Sequence, residues 1–205
     1  MLANQFRSDR PTKAVFNIFR GSEIFSPSRG VLELHNAVVL SGEWFVIADG
    51  KVHCDAFVQT PSPPWSAYLV GRGITLLCEP PVELPTREHF LLGGCANYTH
   101  WLLDFLPRIA LYQSNNGPLL VNGPLLPFQI QALTHLGVKA PDMLALDYPR
   151  AYVVRNLFYP STTSAISMPP LTFQPAIIDW LHDKFVRPGV GSQSGRKLFA
   201  LILVR

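Results

Sequence analysis

No run of basic residues occurs in this 205-residue chain, although its formal net charge is +3. A nucleic-acid binder concentrates Lys and Arg on one face, so that class of partner is not expected. No stretch approaches the roughly 20 apolar residues of a membrane span, and the opening MLANQFRSDRPTK lacks the apolar segment of a signal peptide. A cytoplasmic location is the expectation, peripheral at the membrane if an anchor precedes residue 1. Cysteine is scarce: Cys54, Cys78 and Cys95 are odd in number and lack metal-ligand spacing. They read as buried thiols in a reducing compartment rather than as a disulfide framework. The chain has no Gly-x-Ser-x-Gly elbow, which counts against an α/β-hydrolase. Gly93-Gly94 has no third spaced glycine and Gly71-Arg72-Gly73 no phosphate-loop pattern, so neither is a nucleotide fingerprint. No internal repeat is present.

What is there is apolar. Hydrophobic residues make up 48% of the chain and charged ones 15%, enough to bury a real core. The 19 prolines and 14 glycines fall between apolar runs and punctuate them. Residues 1–30 are polar and broken. Residues 31–59 hold two β-rich runs about Ser41-Gly42 and a third after Asp49-Gly50, both hairpin signals, so a small antiparallel meander is expected. Residues 60–87, with PSPPW and EPPVELP, read as an irregular connection. The division expected is a β-rich segment and linker over 1–88 and an α/β domain over 89–205.

In the second part, HFLLGG and PLLVNG read as strands, and so do YVVRNLFYP and the final KLFALILVR. NYTHWLLDFLPRIALYQ, PFQIQALTHLG (ended by Gly137) and the amphipathic 173–186 read as helices. Strands alternating with helices imply βαβ units, a parallel sheet and a Rossmann-like α/β fold. In such sheets ligands sit beyond the carboxyl ends of strands, which is the place of the Gly93-Gly94-Cys95-Ala96 loop.

The segment after that loop carries the candidate chemistry. Asn97 suits a helix cap. His100, Asp104 and Arg108 follow at i, i+4 and i+8, on one face of a helix that is otherwise Trp101, Leu102, Leu103, Phe105, Leu106, Ile109, Ala110 and Leu111. A helix so apolar is expected to be buried, and its polar stripe must then face partners or a cleft, because isolated buried charges are costly. Pro107 is expected to kink it near residues 103–107. The plain alternative is an Asp–Arg surface pair with a structural histidine.

GGCANYTHWLLDFLPRIALYQ resembles the signature of glycosyltransferase family 61, an Asn-Tyr-x-His-Trp segment leading into an acidic residue and Leu-Pro-Arg. Asn97, Tyr98, His100, Trp101, Asp104, Leu106, Pro107 and Arg108 match it. HLGV, YVVRNLFYPS and NAVVLSGEWFVIADGKV resemble the family's weaker blocks, so the likeness runs over roughly residues 35–199. It implies the N-terminal half of a two-domain GT-B fold. It also implies an inverting, nucleotide-sugar-dependent enzyme that acts on a glycan or protein hydroxyl without a metal, as in capsular polysaccharide biosynthesis. The partners implied are a nucleotide sugar and a glycan acceptor.

Inverting transfer needs a base to take the acceptor's proton. Asp104 or His100 fits that role, or the two jointly with Asp104 orienting the imidazole; His100 is placed first. Arg108 holds Asp104 ionised, meets a phosphate, or makes a plain salt bridge. Asn97 binds sugar hydroxyls if it does not cap. The resemblance also implies a strand near residue 196 ending in Ile-Ser-Arg. Arg196, Lys197 and Phe199 match its start, and Ala200–Val204 do not. The chain is therefore expected to stop before the donor-binding half, to be inactive alone, and to self-associate through its last strand. A non-catalytic remnant or glycan-binding module is the alternative. His182 and Asp183 are expected in solvent, and Trp44, Phe45 and Trp65 in the core rather than on a sugar platform.

Overall fold

The computed structural model describes residues 14–19, 30–42, 44–53, 66–70, 73–78, 80–160 and 175–186. Eleven strands run along them: β1 (Ala14–Phe19), β2 (Val31–Leu40), β3 (Phe45–Ala48), β4 (Lys51–His53), β5 (Ser66–Val70), β6 (Gly73–Cys78), β7 (Val82–Glu83), β8 (Glu88–Gly93), β9 (Leu119–Asn122), β10 (Met143–Leu146) and β11 (Ala151–Pro160). The helices are α1 (Tyr98–His100), continued by other helical turns to Leu111, then α2 (Pro127–His135) and α3 (Pro175–Phe185).

Two hairpins build the expected meander: β2 pairs with β3 and β3 with β4, both antiparallel. Gly42 and Gly50 take positive φ (84° and 70°) in the two turns, the conformation that glycine adopts without steric cost. The meander does not stand apart. β2 pairs along its length with β11, so one sheet runs in the order β10-β9-β8-β11-β2-β3-β4 across the boundary at residue 88. β10, β9, β8 and β11 are mutually parallel, and β11-β2-β3-β4 are antiparallel. The fold is mixed α/β, with helical segments joining β8 to β9 and β9 to β10.

Two expectations are corrected here. Residues 60–87 are not wholly irregular, since β5 and β6 form a hairpin that β1 extends into a three-stranded antiparallel sheet. The prolines on either side masked two short apolar runs, SAYLV and GITLLC. β10, from MLAL, was also not foreseen, because four residues are too few to show a period. The expected last strand, with Arg196, Lys197 and Phe199, lies outside the described residues, as do Trp65 and Cys54.

The sheet is curled. Met143 is level with Leu119, Leu119 with Phe90, and Phe90 with Phe158. Leu146 is thus level with a point past Pro160, at least nine residues beyond Ala151, or about 30 Å along a flat sheet. Yet five Cα–Cα steps, at most about 19 Å, join Leu146 to Ala151. The β2–β11 ladder skips at Arg155 and Asn36, where Asn36 takes φ 49°. A bend there folds the β2–β3 tip back over the carboxyl ends of β8 to β10. The contacts agree: Ser41 Oγ donates to the carbonyls of Asp147 (2.6 Å) and Arg150 (3.0 Å), and the Trp44 indole N–H donates to the Gly94 carbonyl.

Core packing follows strand type. Phe90, Leu91 and Leu92 on β8 and Leu119, Leu120 and Val121 on β9 are all fully buried, as continuous apolar runs in the middle of a parallel sheet are. α3 sets Ile177, Leu181 and Phe185 inward and leaves His182 and Asp183 exposed, as its amphipathic pattern requires. Gly137, at φ 82°, ends α2 where the sequence places a stop.

Candidate functional site

The site begins where β8 ends. Gly93 has φ 80°, and a Cβ on it would stand 2.8 Å from the Phe105 ring. Gly94 has φ 147°, and a Cβ on it would overlap Asn122 Oδ1. Both glycines are explained by close packing of protein on protein.

Asn97 then caps α1: its Oδ1 accepts from the backbone N–H of Thr99 (3.0 Å) and of His100 (3.2 Å). Of the two expected roles, capping is the one this contact shows. The expected continuous helix is corrected. α1 gives way to a π-helical turn over Trp101–Phe105, where the Leu106 N–H reaches the Trp101 carbonyl, and then to a 3-10 stretch over Leu106–Leu111. The change falls at Leu106-Pro107, since proline has no N–H to continue an α-helical ladder. Isolated π-helical turns are rare and concentrate at functional sites.

Within the wide turn, His100 and Asp104 meet. His100 Nδ1 lies 2.9 Å from Asp104 Oδ2, with side-chain exposures of 24% and 8%. The imidazole is reachable and the carboxylate sits beneath it. Burial raises the Asp104 carboxyl above the usual carboxylate range, and the hydrogen bond and charge of His100 oppose that rise. With Asp104 ionised, Nδ1 carries the proton and donates to Oδ2, leaving Nε2 as the basic nitrogen.

Arg108 does not continue the stripe. It is fully buried; its Nε donates to the Asp104 backbone carbonyl and its Nη1 to the Leu92 carbonyl, each at 3.1 Å. Its guanidinium lies 4.8 Å from the Phe105 ring centre. Burial pulls it down to about 10, with Tyr159 opposing, so it is still a cation at neutral pH. After Pro107 the tighter turns place residue 108 where these two bonds tie β8 to the helical segment.

Sequence reasoning missed Gln129, which it read only as part of a helix. Fully buried, it donates from Nε2 to the Cys95 carbonyl (2.9 Å) and accepts at Oε1 from the Leu126 N–H (2.9 Å). No period marks such a residue. A glutamine two places after a proline that opens a helix is the one available signal. Cys95 is a half-buried free thiol whose Sγ points to the Asn97 carbonyl at 3.3 Å, and burial pushes it up to about 11. Such a thiol is not a nucleophile at neutral pH.

Trp44 and Phe45 are buried and do not form an open platform. Among the described residues, no three His, Cys, Asp or Glu side chains are grouped as metal ligands, and no helix is long and apolar enough to cross a membrane. Compared with known proteins, the chain matches no family model, no curated protein and no solved structure. The likeness to family 61 therefore rests on the motif residues alone.

Proposed function

We propose that this chain is the acceptor-side part of an inverting, nucleotide-sugar-dependent glycosyltransferase, with His100 as the base and Asp104 as its partner. The observation that carries the reading is the 2.9 Å contact between a reachable imidazole and a buried carboxylate. In the step proposed, His100 Nε2 takes the proton from an acceptor hydroxyl while its oxygen attacks the anomeric carbon. The bond from that carbon to the diphosphate breaks, the nucleoside diphosphate leaves, and the anomeric centre inverts. Asp104 holds the ring and balances the charge that it gains.

The sheet supports a Rossmann-like, GT-B-type assignment. In chain order its parallel strands are β8, β9, β10 and β11, arranged as third, second, first, fourth. That spatial order is the one with which a doubly wound sheet begins, although here four residues and no crossover helix join β10 to β11; in such sheets ligands sit where the winding reverses, between β8 and β11 in this order. The His100–Asp104 turn leaves β8 at that end.

A glycan-binding module without transferase activity is the second reading. It is favoured by Arg108, since the motif's cation is fully buried and donates to two backbone carbonyls. The test is sugar transfer from a panel of nucleotide sugars to glycan acceptors, with the chain alone and with a donor-binding half of a family 61 enzyme supplied in trans. Transfer in the second case only, with inversion, supports the proposal. Glycan binding without transfer in either case supports the module.

A further inference from the structure

The catalytic turn has no regular helix to hold it: it is three α-helical residues running into a π-helical turn. Something outside the segment must fix where His100 stands. Two side chains at the start of α2 reach across to it. Gln129, fully buried, donates to the Cys95 carbonyl at 2.9 Å. Beside it, the Phe128 ring meets Tyr98 edge to face, with centres 5.1 Å apart. Between these two contacts lies Asn97, whose Oδ1 holds the His100 N–H at 3.2 Å. Gln129 is itself fixed at Oε1 by the Leu126 N–H at 2.9 Å, with the Asn122 amide 3.4 Å away. The amide therefore links the end of β9, the start of α2 and the loop after β8.

From this geometry we infer that Gln129 and Phe128 form a seat for the catalytic turn, with Gln129 the residue that positions the His100–Asp104 pair. The inference rests on the proposed role of that pair, but neither residue touches substrate. Gln129 acts through the Cys95 carbonyl and the Asn97 cap. An aliphatic side chain of equal length fills the same space without holding the loop.

The experiment uses the 205-residue chain and Gln129→Met. Nitrogen-15 NMR of the His100 ring reads the tautomer, and hydrogen exchange reads the capped amides. In the wild type the ring is expected mainly in the Nδ1–H form. In Gln129→Met it becomes a mixture of tautomers, and the Thr99 and His100 amides exchange about tenfold faster, the opening expected from one lost hydrogen bond. Amides of β2 and β3 keep their protection. An unchanged tautomer with unchanged amides at 99 and 100 overturns the inference, and so does an equal loss of protection everywhere. Phe128→Leu removes the ring contact alone and is expected to give the same local pattern, weaker. If neither variant folds, the two residues serve stability only and the inference is overturned. A wild-type ring without the Nδ1–H form counts against the dyad reading instead, and the amides at 99 and 100 still judge the seat.

Discussion

Asp104 is the residue at which stability and function pull apart. Its carboxyl is buried and raised above the usual range by that burial. A group raised in the folded state favours folding at low pH, and that contribution is lost as pH rises through its folded value. Ionised beside His100, the carboxylate is thus a cost to folding, which its proposed role would account for. Asp104→Asn removes the charge and keeps the shape. We expect its unfolding free energy at pH 7 to stay within about 1 kcal/mol of wild type by denaturant titration. Transfer by the complemented enzyme should fall by about 10² or more, the usual size of a general-base contribution. A large loss of stability would mean that the carboxylate is structural.

His89 has the opposite sign. It is fully buried on β8, bonded through Nε2 to Thr86 Oγ1 at 2.8 Å, and its Nδ1 has no hydrogen-bond partner among the described residues. Burial lowers it to about 4. Above the unfolded value of about 6.5 the ring is neutral in both states and full stability is present. As pH falls from there toward 4, the unfolded chain takes up a proton that the folded one refuses, and stability is lost. The loss is on the order of 3 kcal/mol at most. His89→Leu should flatten the stability profile over that window, because the exposed Thr86 hydroxyl can turn to water. An unchanged slope would place the acid sensitivity elsewhere.

Among the elements, the loop from Gly93 to Asn97 tolerates little change. A Cβ at Gly94 overlaps Asn122 Oδ1 and comes within 3.2 Å of the Trp101 ring, on a backbone at φ 147° that side chains rarely adopt. Gly94→Ala should cost about 1–3 kcal/mol of stability and displace the Asn97 cap, seen as faster exchange of the Thr99 amide. Gly50, which meets nothing within 4 Å, is the control, and Gly50→Ala should leave that amide unchanged.

Elements with a strong local signal were legible in the sequence. Gly137 marks the end of α2, the amphipathic stripe marks α3, and the apolar runs mark β8, β9 and β11. Asn97 as a cap and the His100–Asp104 contact followed from spacing, because residues four apart stay neighbours even when the turn widens. Arg108 did not follow, since a further turn past Pro107 lets small changes of helix type rotate a side chain from the stripe into the core. The bend at Asn36 and Arg155 and the bonds of Gln129 join residues far apart in sequence, and no local pattern encodes them.

For the whole molecule, the main consequence is that residues 31–53 and 82–160 share one sheet. Leu157, fully buried on β11, sits where the meander meets the parallel strands, facing Leu34 on β2 and His89 on β8. The two parts should unfold together. Protection of Val39 and Leu120 amides is expected to be lost in one transition, and Leu157→Ala should lower both midpoints, at a cost of about 2–5 kcal/mol. Two separate transitions would mean that the meander is an independent unit.

The central claim is that the His100–Asp104 pair activates an acceptor hydroxyl for sugar transfer. The direct measurement is turnover and product stereochemistry in the chain complemented by a donor-binding half, with wild type and His100→Ala compared at neutral pH. The account predicts transfer with inversion at the anomeric carbon and a drop of about 10² or more in His100→Ala, while that variant keeps its fold and its glycan affinity. Wild-type turnover in His100→Ala, or a product with retained configuration, would contradict it.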